Sequence, residues 1–171
     1  MAEKTIQTAV GSYTGEVNDA GKPHGHGRML FTGGILYDGE WKNGKPHGRG
    51  RMHYPSGYGY EGEYRDGKRC GQGRMNYPNN DVYDGAWKDD KPNGHGRRSY
   101  AGGIFYDGEW QDGKPHGFGR IRYPDGHIYE GEYRNGKRGG HGKMTYPDGA
   151  VREGEWENDV LIRETRHDHP L

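Results

Sequence analysis

Aromatic and glycine residues alternate with charged residues in short segments along the chain. Tyr37, Gly39 and Trp41 occupy alternate positions and are separated by Asp38 and Glu40. Because successive side chains of a β-strand point to opposite faces, this alternation predicts a strand with one aromatic face and one charged face. A helix is disfavoured, since each glycine inside a helix costs about 1 kcal/mol.

A second alternating segment follows each of these strands. In residues 48–54, glycine, methionine and tyrosine fall on one face, and arginine and histidine fall on the other. The dipeptide Asn43-Gly44 lies between the two segments, and glycine accepts the positive φ that a tight turn requires, so the pair predicts a β-hairpin. An acidic first strand beside a basic second strand predicts cross-strand ion pairs, each worth a few tenths to about 1 kcal/mol.

The same unit returns at a fixed spacing. Because both turns of the unit are short, successive strands are expected to be antiparallel neighbours in one continuous meander, with one hairpin per repeat. A single hairpin cannot bury its aromatic face, so stability is expected to come from the stack of repeats. The 23-residue period starts at Tyr37, Tyr60, Tyr83, Tyr106 and Tyr129, with a weaker start at Tyr13 and a partial last unit at Arg152.

The pattern Tyr-x-Gly-x-Trp/Tyr, Gly-x-Gly-x-Met, Tyr-x-x-Gly resembles the MORN (membrane occupation and recognition nexus) repeat. The resemblance implies an all-β fold: an elongated, curled, single-layer antiparallel meander of hairpin repeats with an aromatic-lined groove. It divides the chain into an N-terminal lead-in (1–12), six MORN repeats plus a partial seventh (13–157) and a C-terminal tail (158–171). The sheet is expected to end near Asn158, and the aliphatic run that begins at Val160 is expected to form either a short helix on the groove or no regular structure.

Composition narrows the classes of function. Lys and Arg together number 25, as do Asp and Glu, which gives a formal net charge of +0. A nucleic-acid binder or a polybasic membrane binder usually has excess positive charge, so neither class is favoured. Only 28% of the residues are hydrophobic, but 14 Tyr and 4 Trp can bury a large area.

Two features of the sequence bear on localisation. The single Cys70 cannot form an internal disulfide, which fits a reducing compartment. Residues 1–10 contain no long apolar segment of the kind found in secretory leaders. We therefore expect a cytoplasmic protein, with a cytoskeletal or ciliary assembly as one setting.

Ten histidines raise the question of a metal site. His24, His47 and His116 occupy the same position in their repeats. Equivalent positions in neighbouring repeats are expected to lie about 10 Å apart, whereas metal ligands converge to about 2 Å from one ion. These histidines are therefore expected to cap or pack turns, and we predict no metal and no cofactor. The segment 167–169 (His-Asp-His) could at most bind a stray cation.

No catalytic arrangement stands out. The carboxylates that could form an acid–base pair recur in nearly every repeat, whereas a catalytic pair should be singular and have two different environments. Cys70 replaces an ordinary turn residue, which favours a structural role over a nucleophilic one. The sequence therefore predicts a protein that is not an enzyme.

Protein binding is the predicted function. A scaffold module would capture a partner protein in the aromatic groove, since Tyr and Trp suit such surfaces. The alternative is a module that binds phospholipids or phosphoinositides, but no repeat builds the cluster of about 4–8 basic residues typical of anionic-lipid recognition, so membrane binding is expected to be weak or absent. Assembly into homo-oligomers is left open. The expected groove residues are Tyr60, Tyr83, Trp87, Arg98, Tyr106, Trp110, Tyr129 and Tyr133.

Overall fold

Strands account for all regular structure in the computed structural model, which describes residues 3–165. The described residues form two compact units, which divide between residues 91 and 92. The first unit contains β1 (Lys4–Thr8), β2 (Gly11–Val17), β3 (Pro23–Phe31), β4 (Leu36–Lys42), β5 (Lys45–His53), β6 (Gly59–Arg65), β7 (Lys68–Asn76) and β8 (Val82–Lys88). The second contains β9 (Lys91–Ser99), β10 (Phe105–Gln111), β11 (Lys114–Arg122), β12 (Ile128–Arg134), β13 (Lys137–Thr145), β14 (Val151–Glu157) and β15 (Val160–Glu164).

Within each unit, every strand pairs with the next strand along the chain, and all of these pairs are antiparallel. This confirms the predicted all-β meander with one hairpin per repeat. In the described part of the chain, no helix is long and apolar enough to cross a membrane.

The two units have closely related sequences. Residues 22–90 and 91–159 correspond position by position without a gap, at an offset of three 23-residue repeats. Residues 60–65 and 129–134, for example, are identical. The boundary between the two compact units falls at the junction of these two blocks. A three-repeat block is therefore the larger period of this chain.

Tyrosine rings lie across pairs of facing glycines. Gly39 of β4 is opposite Gly50 of β5, and a Cβ added to Gly50 would overlap the hydroxyl and ring of Tyr37. The Tyr37 hydroxyl reaches past the glycines and donates to the carbonyl oxygen of Glu40 at 2.9 Å. Only glycine leaves room for this ring on the backbone. The same overlap occurs between Gly27 and Tyr13, Gly73 and Tyr60, Gly119 and Tyr106, and Gly142 and Tyr129.

The rings also form a continuous edge-to-face ladder inside each unit. Tyr37 contacts Trp41 of its own repeat at 5.0 Å and Tyr64 of the next repeat at 5.3 Å between ring centroids. The Trp41 indole N–H donates to the carbonyl oxygen of Gly27 at 2.9 Å. Edge-to-face pairs of this kind contribute about 0.5–1.5 kcal/mol beyond the area they bury. The ladder therefore joins each repeat to the next.

A bulge follows the facing glycines in the hairpins β2–β3, β4–β5, β6–β7, β10–β11 and β12–β13. After the pair Gly39–Gly50, the next pair is Trp41 with Pro46, so Glu40 faces three residues of β5. Gly48 lies in this bulge with φ +69°, a conformation that favours glycine. The Glu40 carboxylate accepts the backbone N–H of Arg49 at 2.8 Å. Equivalent bonds run from His26 to Glu16, Gln72 to Glu63, Phe118 to Glu109 and His141 to Glu132.

Both ends of the chain differ from the expectation. The lead-in contains β1, which pairs with β2. The expected end of the sheet near Asn158 is wrong, and so is a helix at Val160, because β15 pairs with β14. An Asn158-Asp159 turn with positive φ at both residues makes this last hairpin possible without glycine. The rest of the tail, 166–171, lies outside the described residues, and so does the 167–169 segment.

The contact between tyrosine and glycine predicts the effect of adding one methyl group. Gly50→Ala should destabilise the protein by about 2–3 kcal/mol, because the new Cβ and the Tyr37 ring cannot share the same space. Gly102→Ala is the matched control, because Gly102 has open space around it and no positive φ. This substitution should change the free energy of unfolding by less than about 0.5 kcal/mol. Urea unfolding measures both. Equal stability of the two variants would contradict the proposed packing.

Candidate functional site

The rings expected to line a groove lie in the core. None of the seven aromatic residues in the expected set is more than 4% exposed: Tyr60, Tyr83, Trp87, Tyr106, Trp110, Tyr129 and Tyr133. Burial raises the pKa of the Tyr129 hydroxyl to about 12. The structure thus assigns these rings a packing role, and their contact with a partner stays a prediction.

Arg98 is the one charged member of the expected set. Its side chain is half-buried, and its guanidinium carbon lies 4.6 Å from the centroid of the Tyr100 ring. Arg98 therefore stacks on a neighbouring ring in a cation–π contact. Whether Arg98 also contacts a partner stays a prediction.

Other tyrosines form the accessible rim of the aromatic face. Tyr54, Tyr58 and Tyr77 sit at the Tyr-Pro turns of the first unit, and all three are half-buried. Ring centroids are 4.6 Å apart between Tyr54 and Tyr58, and 6.0 Å apart between Tyr58 and Tyr77. In the second unit, His127 takes the position of Tyr58 and lies 4.9 Å from the Tyr146 ring. These rim side chains are more exposed than the core rings of the same face.

In each three-repeat block, one arginine packs on a core tryptophan and bonds to an aspartate of the next repeat. We call this arrangement an arginine clamp. The Arg69 guanidinium lies 4.8 Å from the centroid of Trp87 and donates to the Asp90 carboxylate at 3.1 Å. It also donates to the Tyr58 hydroxyl at 3.2 Å. Asp90 keeps the positive φ of the glycine it replaces, 69°. The replacement of the turn glycine by Asp90 therefore builds a contact between repeats.

The second unit contains the same clamp. The Arg138 guanidinium lies 4.7 Å from the centroid of Trp156 and donates to the Asp159 carboxylate at 3.3 Å. The Arg138 side chain is 18% exposed and that of Arg69 is 21% exposed. Such low exposure indicates that both guanidinium groups belong to the core and are not free to bind a ligand.

The opposite face of the sheet carries the predicted rows of ion pairs. In the first unit, three arginine–carboxylate pairs link the second strand of one repeat to the first strand of the next. Each pair is exposed and is worth at most about 1 kcal/mol. The pairs are Arg28–Asp38 at 2.7 Å, Arg51–Glu61 at 2.9 Å and Arg74–Asp84 at 3.7 Å, with Arg97–Asp107 at 3.0 Å and Arg120–Glu130 at 3.5 Å in the second unit.

Only half of the predicted charge pairing is confirmed. The first carboxylate of each repeat, such as Asp38, pairs with an arginine as expected. The second carboxylate, such as Glu40, bonds to a backbone N–H in the bulge instead. The bulge brings that N–H directly to the carboxylate, so a basic side chain is not needed there. The second row of acidic residues is therefore part of the fold.

Two depressions lie on this charged face in the first unit. The larger has a volume of about 460 Å³, and the backbone of Gly50, Gly62 and Gly73 contributes to its lining. The smaller, of about 430 Å³, shares Asp38 with the larger and continues toward Glu3. The expected groove was aromatic, but these depressions are lined by charged groups. The charged residues that line the larger depression are Asp38, Arg49, Arg51, Glu61, Arg74 and Asp84.

The recurrent histidines act at turns. The backbone N–H of Asn43 points to Nδ1 of His24 at 3.5 Å, and that of Asp66 points to Nδ1 of His47 at 3.4 Å. His116 accepts from Asn135 in the same way at 3.4 Å. These contacts confirm the turn-capping role, since each histidine joins its repeat to the next turn. Within residues 3–165, no group of three or more His, Cys, Asp or Glu side chains is arranged to hold a metal ion.

Cys70 fits the structural role expected of it. The residue is half-buried in β7, and burial raises the pKa of its thiol. A raised pKa lowers the fraction of reactive thiolate at neutral pH. The positive charge of Arg65 lowers the pKa, but burial has the larger effect.

Three features were not identified as sites from sequence: the tyrosine rim, the arginine clamps and the charged depression. The clamps have a sequence signal, because Arg69 and Asp90 recur as Arg138 and Asp159 at the three-repeat offset. The rim has one too, because a tyrosine precedes most of the second turns. The depression has no sequence signal, because it arises from the placement of neighbouring strands.

Comparison with known families gives a match over most of the chain. The model of the MORN repeat matches residues 13–35, 37–57, 60–82, 83–104, 106–128 and 129–151. None of the curated protein sequences compared with the chain matches it.

Some solved structures are also similar to this chain. The TCP domain of SAS-4 (dCPAP) of Drosophila melanogaster, in complex with a proline-rich motif of Ana2 (dSTIL), matches with a TM-score of 0.51 and 13% identity over 90% of both chains. The G-box domain of the microcephaly protein CPAP matches with a TM-score of 0.45 and 13% identity over 99% of this chain and 100% of that chain. At these identities, the first likeness shows the fold alone, and the second is too low to support an argument.

The clamp predicts that two neighbouring aspartates differ in their contribution to stability. Asp90→Asn should destabilise the protein by about 1–2 kcal/mol, because Arg69 loses its carboxylate partner while it stays largely buried. Asp89→Asn is the matched control: Asp89 pairs with Lys68 at 3.9 Å, and both side chains are exposed, so the change should be within about 0.5 kcal/mol. Thermal unfolding measures both. A larger loss in the Asp89 variant would contradict the clamp.

One histidine should titrate above its ordinary value. The hydrogen bond from His141 to Glu153 raises the pKa of His141 above 6.5. A raised pKa in the folded state contributes stability that is fully present below pH 6.5 and is lost as the pH rises through the folded-state pKa. An NMR titration of the His141 ring should show a midpoint above 6.5, and Glu153→Gln should lower it. A midpoint at or below 6.5 in the unmodified protein would show that the bond is not formed.

Proposed function

Since this chain belongs to the MORN repeat family, we propose that it is a non-catalytic scaffold module that binds a partner protein on its charged face. The observation that carries the proposal is the pair of adjoining depressions on that face of the first unit. They are open, polar and elongated across several strands, which suits an extended segment of polypeptide. A site for a small molecule is typically more apolar and more enclosed.

The burial of the aromatic ladder supports this choice of surface. A partner cannot gain much contact area from rings of which no more than 4% is exposed. The charged face is free, and its arginine–carboxylate pairs remain largely solvated. Rows of fixed charge give an interface register and specificity even where each pair adds little affinity.

The structural neighbour adds support at the level of the fold. The TCP domain of SAS-4, which has a similar fold, is in complex with a proline-rich motif of another protein. We propose by analogy that this chain also binds a segment of a protein partner. A cytoskeletal or ciliary assembly is the setting that we propose for it, and the aromatic groove set, including Arg98 and Trp110, remains the second surface to test.

Capture of partner proteins should depend on one charge pair and not on another. The double variant Arg51→Gln/Glu61→Gln leaves the net charge unchanged and removes one pair from the depression. It should reduce capture of the partner from an extract of the native source by more than about fivefold, which corresponds to the loss of about 1 kcal/mol of binding free energy.

The matched control for this capture experiment is Lys68→Gln/Asp89→Asn, which removes an exposed pair outside the depression. This control should capture the partner as well as the unmodified protein does. Loss of capture in both double variants would point to a general effect of charge. Retention in both would place the binding surface elsewhere, and capture of nothing by the unmodified protein would reject the scaffold function.

The alternative, phospholipid binding, makes a different prediction. Most arginines lining the charged depression are already paired with carboxylates, so the face offers little net positive charge to an anionic headgroup. We therefore expect weak co-sedimentation with phosphoinositide-containing vesicles at physiological salt, no stronger than with vesicles of neutral lipid. Tight sedimentation that depends on phosphoinositide would favour the membrane module instead.

A further inference from the structure

One arginine in the charged depression has no carboxylate partner. Arg49 is exposed and lines the depression, whereas Arg51 and Arg74 beside it are paired with Glu61 and Asp84. Among the described residues, no carboxylate oxygen approaches the Arg49 guanidinium within the 4 Å of an ion pair. The depression therefore holds one uncompensated positive charge among neutralised ones.

The register explains why Arg49 is left unpaired. Its direct neighbour across β5 and β6 is Glu63, but the Glu63 carboxylate accepts the backbone N–H of Gln72 at 2.8 Å in the next bulge. On the other side of β5, the Glu40 carboxylate accepts the backbone N–H of Arg49 itself. The fold thus uses the acidic residues that face Arg49 on both sides, and its guanidinium remains available to a carboxylate of another molecule.

Arg49 is also specific to this repeat. Position 49 lies just after the bulge glycine, and none of the equivalent positions holds an arginine. An arginine at this position is therefore not required by the hairpin, since the same backbone forms with other side chains. The equivalent residues are His26, Gln72, His95, Phe118 and His141.

We propose that Arg49 anchors an acidic, extended segment of the partner protein, which lies along the depression and places a carboxylate on the guanidinium. This inference rests on the proposed scaffold function and names the chemistry of its partner. A guanidinium binds a carboxylate through two parallel N–H···O bonds, which fixes orientation as well as charge. The paired residues Arg51–Glu61 and Arg74–Asp84 flank this anchor and offer both donors and acceptors to the backbone of the segment.

The geometry favours a protein carboxylate over a membrane. An anionic bilayer is recognised by several basic residues together, and this depression offers one free cation. A peptide segment with one well-placed Glu or Asp needs only one free cation to pair with. The bilayer is therefore an outcome of the test and not a second proposal.

The test compares two variants that lose the same charge. Arg49→Gln installs the residue that the next repeat carries at Gln72, so the hairpin should tolerate it. Arg65→Gln removes an exposed arginine at the end of β6, outside the depression. The probe is a fluorescein-labelled, glutamate-rich peptide of about twelve residues, long enough to span about 40 Å when extended. Its affinity is measured by fluorescence anisotropy on the full chain at physiological salt.

We expect Arg49→Gln to weaken binding of the glutamate peptide by about fivefold to tenfold and Arg65→Gln to leave it unchanged. Arg49→Lys should fall between, because it keeps the charge and loses the two parallel bonds. Equal weakening in the two glutamine variants would overturn the inference, as would failure of the unmodified protein to bind the peptide. Vesicles containing phosphoinositide that bind tightly and lose this binding in Arg49→Gln would also overturn it.

Capture of the partner from the native source tests the acidic anchor and the scaffold function separately. If Arg49→Gln captures the partner undiminished, the scaffold function stands and the acidic anchor is wrong. If the unmodified protein captures no partner, the scaffold function fails. If capture falls with Arg49→Gln and not with Arg65→Gln, both are supported.

Discussion

The close contact between a tyrosine ring and a pair of facing glycines is the constraint on which the rest of the structure depends. Tyr37 can lie on the backbone only because Gly39 and Gly50 face each other beneath it. Its hydroxyl then reaches the carbonyl oxygen of Glu40. This contact places the ring against the aromatic residues of two repeats. A chain with few aliphatic residues thereby obtains a core from tyrosine, tryptophan and glycine.

The closure of the aromatic face has a functional consequence. The core rings contact one another and the backbone, so the rim tyrosines are more accessible than the core rings of that face. The charged face stays free, because its side chains stand away from the sheet and its ion pairs are exposed. Substitutions between repeats also cost less stability on the charged face. Arg49 and Phe118 are an example, because a cation and an exposed phenyl ring occupy the same backbone position in the two blocks. Such a division lets the core stay constant while the charged surface changes.

The fold was largely predictable from sequence, because its determinants are local and repeated. Alternation of Tyr37, Gly39 and Trp41 gives the strand and its faces, and the turn Asn43-Gly44 gives the hairpin. The bulge at Glu40 was not predictable, because it inserts residues into β5 without changing the repeat length. The last strand, β15, was missed because it lacks every consensus residue of the repeat. It is held by backbone pairing with β14 and by the Arg152–Glu164 ion pair.

The candidate site was harder to predict than the fold. Sequence identified the aromatic residues as the surface that could bind, because large rings at regular spacing look alike whether they form a core or a groove. What separates the two is whether neighbouring rings cover one another, and this depends on distances such as the 5.3 Å between Tyr37 and Tyr64. The arginine clamps depend in the same way on a contact between repeats, Arg69 with Asp90, that no single repeat reveals.

Hydroxyl-radical footprinting of the protein, alone and with its captured partner, tests most directly whether the aromatic face is closed and the charged face binds. The account predicts that Tyr60 and Trp87 stay unlabelled in both states, because they are no more than 4% exposed. It predicts that the partner protects the peptides carrying Arg51 and Arg74. Labelling of Tyr60 or Trp87 in the free protein that disappears when the partner binds would contradict it.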